Sequence, residues 1–179
     1  MELFAEIWRR ATSVQPTPPA ALVALTAAIA FGLVISRAAW PYTRMLVTIT
    51  HEGGHAVAAL LAGRRLQGIR LHSDASGLTV SSGRPSGPGM VVMLLAGYLA
   101  PAVVGLGAGA LLIIGYSLGL LWLLVILLAL MLLRIRNFAG FWILLVAAGG
   151  LVVVSWYAPA PAQAAVAYLV TWILLLSAP

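Results

Sequence analysis

The stretch Pro41–Ala62, PYTRMLVTITHEGGHAVAALLA, decides how this chain folds. It is long and apolar enough to form a membrane-spanning helix, and it carries HEGGH at residues 51–55 near its middle. A charged side chain at membrane depth costs about 2.5–3.5 kcal/mol on insertion scales, so a Glu between two His indicates a functional site. The alternative is a chance pattern in a solvated helix, and the hydrophobic flanks make it weak.

The HExxH spacing predicts a metal site for hydrolysis. On a helix it places His51 and His55 on one face, where each neutral imidazole can give one nitrogen to Zn²⁺. Two coordination positions then stay open for a third protein ligand and a water, whose pKa the ion lowers to about 7. Glu52 is badly angled for the same ion, so we expect it to act as the general base that takes the proton of the water. The pattern predicts metal-assisted peptide hydrolysis within the membrane.

The composition indicates an all-α polytopic membrane protein. Hydrophobic residues make up 63% of the 179 residues, charged residues only 8%, and the mean hydropathy is +1.07. The net charge of +6 comes from ten arginines that flank apolar runs, which favours a role in topology and headgroup contact over nucleic-acid binding. The lack of Cys excludes disulfides and thiolate ligands.

Hydrophobic runs predict about six transmembrane helices in a single domain, 1–179. These runs are residues 20–35, 41–62, 90–114, 120–133, 138–156 and 162–176. Residues 1–19 precede them as an amphipathic segment expected on the membrane surface, where the bilayer itself is a partner. A cleaved secretory signal is the alternative for the first run, although the further apolar runs favour a retained anchor.

A β-hairpin is predicted within the loop 64–88. Residues 66–72 and 77–82 alternate with the two-residue period of strands, and residues 73–76 form the turn between them. We expect this hairpin at the membrane surface. It is either a clamp that pairs with an extended substrate or only a connecting loop, and the sequence does not separate the two.

The arginines predict the orientation of six spans. Eight of them fall on the side of the N-terminus, the hairpin and the loop after the fourth span, whereas only Arg37 and Arg44 fall on the other side. The positive-inside rule therefore predicts that the N-terminus and the hairpin are both cytoplasmic.

The chain resembles the site-2 protease family of intramembrane zinc metallopeptidases, and more closely its short bacterial branch. The matching segments are HEGGHAVAALLAG at 51–63, SGLTV at 76–80, AGYLAP at 96–101 and RNFAG at 136–140. The resemblance implies that zinc is bound by His51 and His55, with Glu52 as catalytic base. It also implies cleavage of membrane-protein substrates near the cytoplasmic side of a bacterial plasma membrane, with a regulatory membrane partner as a further expectation.

One residue of the family pattern is missing. The third zinc ligand of the family is typically an Asp on a later helix, and this chain has no Asp or Glu after Asp74. The candidates are Asp74, His72, Asn137 and a residue beyond the end of the chain. For the first three, the simpler interpretations are a turn residue, a surface His and a helix cap. The gap also supports an alternative function, an inactive membrane homologue that serves as a subunit or chaperone of a membrane complex.

Two further points stay open at the sequence level. Gly53 and Gly54 either allow close helix packing or leave room for metal and substrate. A small transporter is a weaker third class of function, because the later runs hold no ionisable residue besides Arg134 and Arg136.

Overall fold

The computed structural model describes residues 2–178, which form seven helices and a small antiparallel sheet. In chain order the elements are α1 (Glu2–Ala11), α2 (Ala20–Ile35), α3 (Trp40–Leu61), β1 (Arg65–Leu71), β2 (Gly77–Ser82), α4 (Pro88–Ile113), α5 (Ser117–Leu132), α6 (Phe138–Tyr157) and α7 (Ala160–Leu176). The helical class and the hairpin are therefore as expected, and HEGGH lies in the second half of α3.

In residues 2–178, fewer than six helices have the length expected of a single membrane span. Only α4 and α6 are long and apolar enough to cross a membrane as single helices, within the described residues. A bend of 100° separates α2 from α3, and this pair qualifies together as one broken span. The apolar helices α5 and α7 have 16 and 17 residues, about 24–26 Å at 1.5 Å per residue, which is short for a hydrocarbon core of about 30 Å. Composition predicts apolar runs correctly, but it does not show where a helix bends.

The N-terminal segment lies at the end of the structure opposite to the sheet. The Gln15 N–H donates to the Gly115 carbonyl (2.8 Å), and Leu118 N–H at the start of α5 donates to the Gln15 side chain (3.0 Å). The other end of α5 leads to residues 134–137, which pair with β1. The N-terminal segment and the hairpin therefore lie at opposite ends of the structure, with α2 and α3 as a bent pair between them. The side of the membrane on which each of them lies stays a prediction.

The hairpin packs along α3. The Thr48 hydroxyl donates to the Ala75 carbonyl in the turn (2.8 Å), so the tip lies one turn before the HEGGH segment. Ile69 and Leu71 are buried against Ile49 and Ala56 of α3 in a core cluster that also includes α5 and α6. The inward face of β1 therefore fixes the sheet against the helix that carries the motif.

The outer edge of β1 is covered by the chain between α5 and α6. Ile69 N–H donates to the Arg134 carbonyl and Arg136 N–H donates to the Ile69 carbonyl, both at 2.9 Å, in a parallel bridge. Asn137 continues the pairing with its side chain, whose Nδ2 donates to the Leu71 carbonyl (2.7 Å) while Leu71 N–H donates to its Oδ1 (3.2 Å). β1 therefore has hydrogen-bond partners along both of its edges. Within the described residues, β2 has a strand partner only on the β1 side.

A buried amide fixes the corner between α6 and α7. Gln163 is 4% exposed, and its Nε2 donates to the carbonyls of Ser155 (3.1 Å) and Ala158 (2.9 Å) at the end of α6. These carbonyls have no helical donor, since the helix ends there. In an apolar environment an unpaired carbonyl is costly, so Gln163 stabilises the turn.

Replacing Asn137 by Ala should weaken the attachment of the sheet. The N–H and C=O of Leu71, a residue with 0% exposure, lose their partners, and an unsatisfied buried polar group costs about 1–3 kcal/mol. We expect the midpoint of thermal unfolding in detergent to fall by roughly 5 °C. Asn137→Asp keeps the acceptor but not the donor and should destabilise as well. An unchanged midpoint in Asn137→Ala would contradict this pairing.

Candidate metal centre

Two imidazole nitrogens converge on α3. The Nε2 atoms of His51 and His55 lie 3.0 Å apart, and the two rings meet edge to face with centroids separated by 4.5 Å. Two ligands of a tetrahedral zinc, each at about 2.0–2.1 Å from the ion, would have nitrogens about 3.3–3.4 Å apart. The pair therefore fits two neighbouring positions of such an ion with only a small adjustment.

A backbone carbonyl of α4 orients the His55 ring. His55 Nδ1 lies 2.7 Å from the Met93 carbonyl, so this nitrogen carries the proton and Nε2 keeps its lone pair free. An outer partner of this kind is typical of metal-binding histidines.

The segment AGYLAP brings α4 close enough to α3 for this contact. A Cβ on Gly54 would lie 2.5 Å from the Ala100 Cβ and 2.6 Å from the Ala96 carbonyl, so only glycine permits this approach. A Cβ on Gly97 would overlap the His55 ring. Gly53 faces open space, with nothing within 4 Å of the position that a Cβ would occupy. The two glycines of HEGGH thus differ: Gly54 serves helix packing, and Gly53 leaves room beside the motif.

An aromatic side chain borders the two histidines. The ring of Tyr98 lies edge to face with His51, with centroids 5.1 Å apart. Tyr98 directly follows Gly97 and is largely exposed. It therefore covers one side of the His51 ring.

Glu52 lies beside β2. Its side chain is only 5% exposed, and the Thr79 hydroxyl is 2.6 Å from its Oε2 and 3.1 Å from its backbone carbonyl. A Cβ on Gly77 would lie 2.7 Å from the other carboxyl oxygen, Oε1, so glycine is required there for space. The hairpin thus supplies a hydrogen-bond donor, Thr79, and leaves space for the carboxylate at Gly77, which has no side chain.

The structure does not bring the candidate third ligands to the histidine pair. Across residues 2–178, no group of three His, Cys, Asp or Glu side chains is placed to hold a metal ion. His72 Nδ1 is 3.2 Å from the Ser76 hydroxyl, and Asn137 uses both amide atoms on Leu71. Asn137 also makes no side-chain hydrogen bond to α6, so the expected cap is replaced by the pairing with β1.

Asp74 is a turn residue, in agreement with the simpler interpretation. The Ser76 hydroxyl (2.7 Å) and the Ser76 N–H (3.0 Å) both donate to its Oδ1 at the tip of the hairpin. These two hydrogen bonds lower the pKa of the Asp74 carboxyl, the side-chain bond contributing most. The carboxylate is thereby engaged within the turn.

Several residues that contact the His pair or the carboxylate were not predicted from the sequence to belong to the site: Gly77, Thr79, Met93, Gly97 and Tyr98. Of these, Gly97 was predicted only to lie on a helix-packing face. Four of the five lie in the segments SGLTV and AGYLAP, which match the family pattern. Their contacts with the motif could not be predicted without knowing that β2 and α4 flank α3.

A known protein family matches most of this chain. The model of the family described as Peptidase M50B-like matches residues 24–179, which include α3, the sheet and all later helices. No curated protein and no solved structure matches the chain significantly. Since the matched segment covers well over half of the chain, the chain belongs to the Peptidase M50B-like family of site-2 protease-type membrane metallopeptidases.

Proposed function

We propose that this chain is an intramembrane zinc metalloprotease that hydrolyses peptide bonds of membrane-embedded protein substrates. The observation that carries the proposal is the convergence of His51 Nε2 and His55 Nε2 beside a buried Glu52. His51 and His55 would hold the ion. When bound, zinc supplies Lewis-acid activation of water near neutral pH.

Glu52 has the chemistry and the position of a general base. One of its carboxyl oxygens accepts from Thr79, and the other lies against Gly77, where no side chain blocks it. The carboxylate would accept the proton of the attacking water and then deliver it to the nitrogen of the leaving amine. Its burial excludes bulk water, which strengthens electrostatic interactions within the site.

The open edge of β2 is suited to hold the substrate. A transmembrane helix keeps its carbonyls hydrogen-bonded and must be locally extended before one can be attacked. An extended peptide can pair with an unpaired strand edge through main-chain hydrogen bonds. Since Glu52 contacts β2, a peptide on this edge would pass beside the base. This supports a role of the hairpin as a clamp.

An apolar groove offers a route for the substrate from the lipid. It lies between the first half of α3 and α6, has a volume of about 540 Å³ and is widely open. Its lining includes Ile49, which precedes the motif by less than one turn, and Trp142 and Val146 of α6. A membrane-embedded segment of substrate is apolar and would match this lining.

The arginines support a cytoplasmic position of the sheet end. Six of them lie in the hairpin loop or between α5 and α6, whereas Arg9 and Arg10 lie at the opposite end of α5. The positive-inside rule then orients the sheet toward the cytoplasm and α1 away from it. We propose this orientation in a bacterial plasma membrane, with a regulatory membrane partner as a further element.

Zinc content and cleavage together test the proposed function. Purified protein in detergent should contain about one zinc per chain, and His51→Ala and His55→Ala should each lose most of it, because one imidazole holds the ion weakly. Glu52→Gln should retain zinc while cleavage of a co-expressed membrane substrate falls at least about 100-fold, since the amide cannot accept the proton.

Two results would contradict the proposed protease function. The absence of zinc from the wild-type protein would contradict the metal site, and equal cleavage by wild type and Glu52→Gln would contradict the role of Glu52 as general base. Zinc binding without any cleavage would point to the inactive subunit or chaperone instead.

Gly97→Ala should impair zinc binding without unfolding the chain. The added Cβ overlaps the His55 ring and must displace it from the Met93 carbonyl. Loss of such an outer partner typically costs about 10–100-fold in metal affinity, which competition with a zinc-binding dye would measure. Gly107→Ala on the same helix is the matched control, because nothing lies within 4 Å of its added Cβ. Equal zinc affinities of the two variants would refute the role of this contact.

A further inference from the structure

We propose that Thr79 is a positioning residue that connects the base Glu52 to the open, substrate-binding edge of β2. The proposal rests on the proposed protease function and deepens it. It is carried by the direct contact of the Thr79 hydroxyl with the Glu52 carboxylate, at 2.6 Å, and by the direction of the Thr79 backbone.

The hydroxyl of Thr79 fixes the carboxylate in place. It lies within hydrogen-bond distance of both Oε2 and the backbone carbonyl of Glu52, and its single proton favours the charged, closer oxygen. Glu52 has no salt bridge in the described part of the chain. Thr79 is therefore the neutral donor that holds the Glu52 side chain against β2, and no hydrogen bond to Oε1 is found within residues 2–178.

The backbone of Thr79 points toward the open edge. Thr79 is the register partner of Ile69, whose N–H and C=O are both bonded to residues 134–136 on the far side of β1. In an antiparallel pair, opposite residues either both bond across the pair or both point outward. The N–H and C=O of Thr79 consequently point away from β1, toward the edge that has no strand partner.

The same reasoning applies to the second contact of Glu52. Gly77 is the register partner of Leu71, whose N–H and C=O are bonded to Asn137. The two β2 residues that touch Glu52 are thus among those that offer main-chain groups to an added strand. A peptide bound there would pair with Thr79 through its backbone, while the Thr79 side chain holds the base that acts on that peptide.

This geometry predicts that loss of the Thr79 hydroxyl affects catalysis but not substrate binding. Removing the Thr79 hydroxyl leaves its N–H and C=O intact, so pairing with an extended peptide and hence KM should change little. The carboxylate would lose its donor and its fixed position, and a displacement of about 1 Å can cost about 100-fold in rate. The effect should therefore fall on kcat.

Thr79→Val is the test variant, because valine has nearly the same shape and the same branched Cβ without the hydroxyl. We expect kcat for a membrane substrate to fall about 10–100-fold with KM changed less than about threefold. Zinc content should remain at the wild-type level, since neither His contacts Thr79. Thr79→Ser restores a hydroxyl and should recover kcat to within about threefold of wild type.

Thr48→Val is the matched control. Thr48 also joins α3 to the hairpin by a hydroxyl-to-backbone bond of similar length, 2.8 Å to the Ala75 carbonyl, but it does not touch Glu52. Both valine variants should lower the unfolding midpoint by a few degrees. Only Thr79→Val should lower kcat. Equal losses of kcat in Thr79→Val and Thr48→Val would indicate that the Thr79 hydroxyl has a purely structural role.

A thermal experiment tests the contact without relying on cleavage. Thr79→Val should lower the unfolding midpoint less in a Glu52→Ala background than in wild type, because the partner carboxylate is already gone. Equal shifts in both backgrounds, or a Thr79→Val enzyme with wild-type kcat, would overturn the inference while the protease function stands. A wild-type chain that neither binds zinc nor cleaves would instead refute the proposed function itself.

Discussion

The close contact between α3 and α4 is the constraint on which the candidate site depends. Gly54 lets α4 approach, and the approach brings the Met93 carbonyl to the His55 imidazole. A larger residue at position 54 would separate the helices and remove the carbonyl that orients the His55 ring. Helix packing by small residues, common in membrane proteins, here also determines which nitrogen of His55 is available to a metal.

A second constraint comes from the backbone of the sheet. Backbone N–H and C=O groups in apolar surroundings need partners, and both sides of β1 have them through β2 and residues 134–137. Asn137 extends this pairing with a side chain where the backbone already turns into α6. The outer side of β2 is the exception, because it has no strand partner in residues 2–178. In the proposed function this free edge would pair with the substrate.

Local chemistry predicted much of this molecule, and tertiary geometry accounts for the rest. The helix that bears His51, Glu52 and His55 and the two strands of the hairpin follow from periodicity and hydrophobicity, which are properties of neighbouring residues. The 100° bend between α2 and α3 did not, because it depends on how these helices pack. The contacts of Thr79 and Asn137 could not be predicted from the sequence either, because each residue binds a partner that is distant in the chain and is brought near only by the fold.

In the proposed zinc site, the donor set makes the orientation of the two imidazoles especially important. His51 and His55 are neutral ligands, and in residues 2–178 no further His, Cys, Asp or Glu joins them. A site without an acidic ligand lacks the charge attraction that a carboxylate would contribute to a divalent cation. The remaining means of raising affinity is to hold the two nitrogens in the binding geometry before the ion arrives. The Met93 carbonyl does this for His55, so in the proposed site α4 would supply by orientation part of what an acidic ligand would supply by charge.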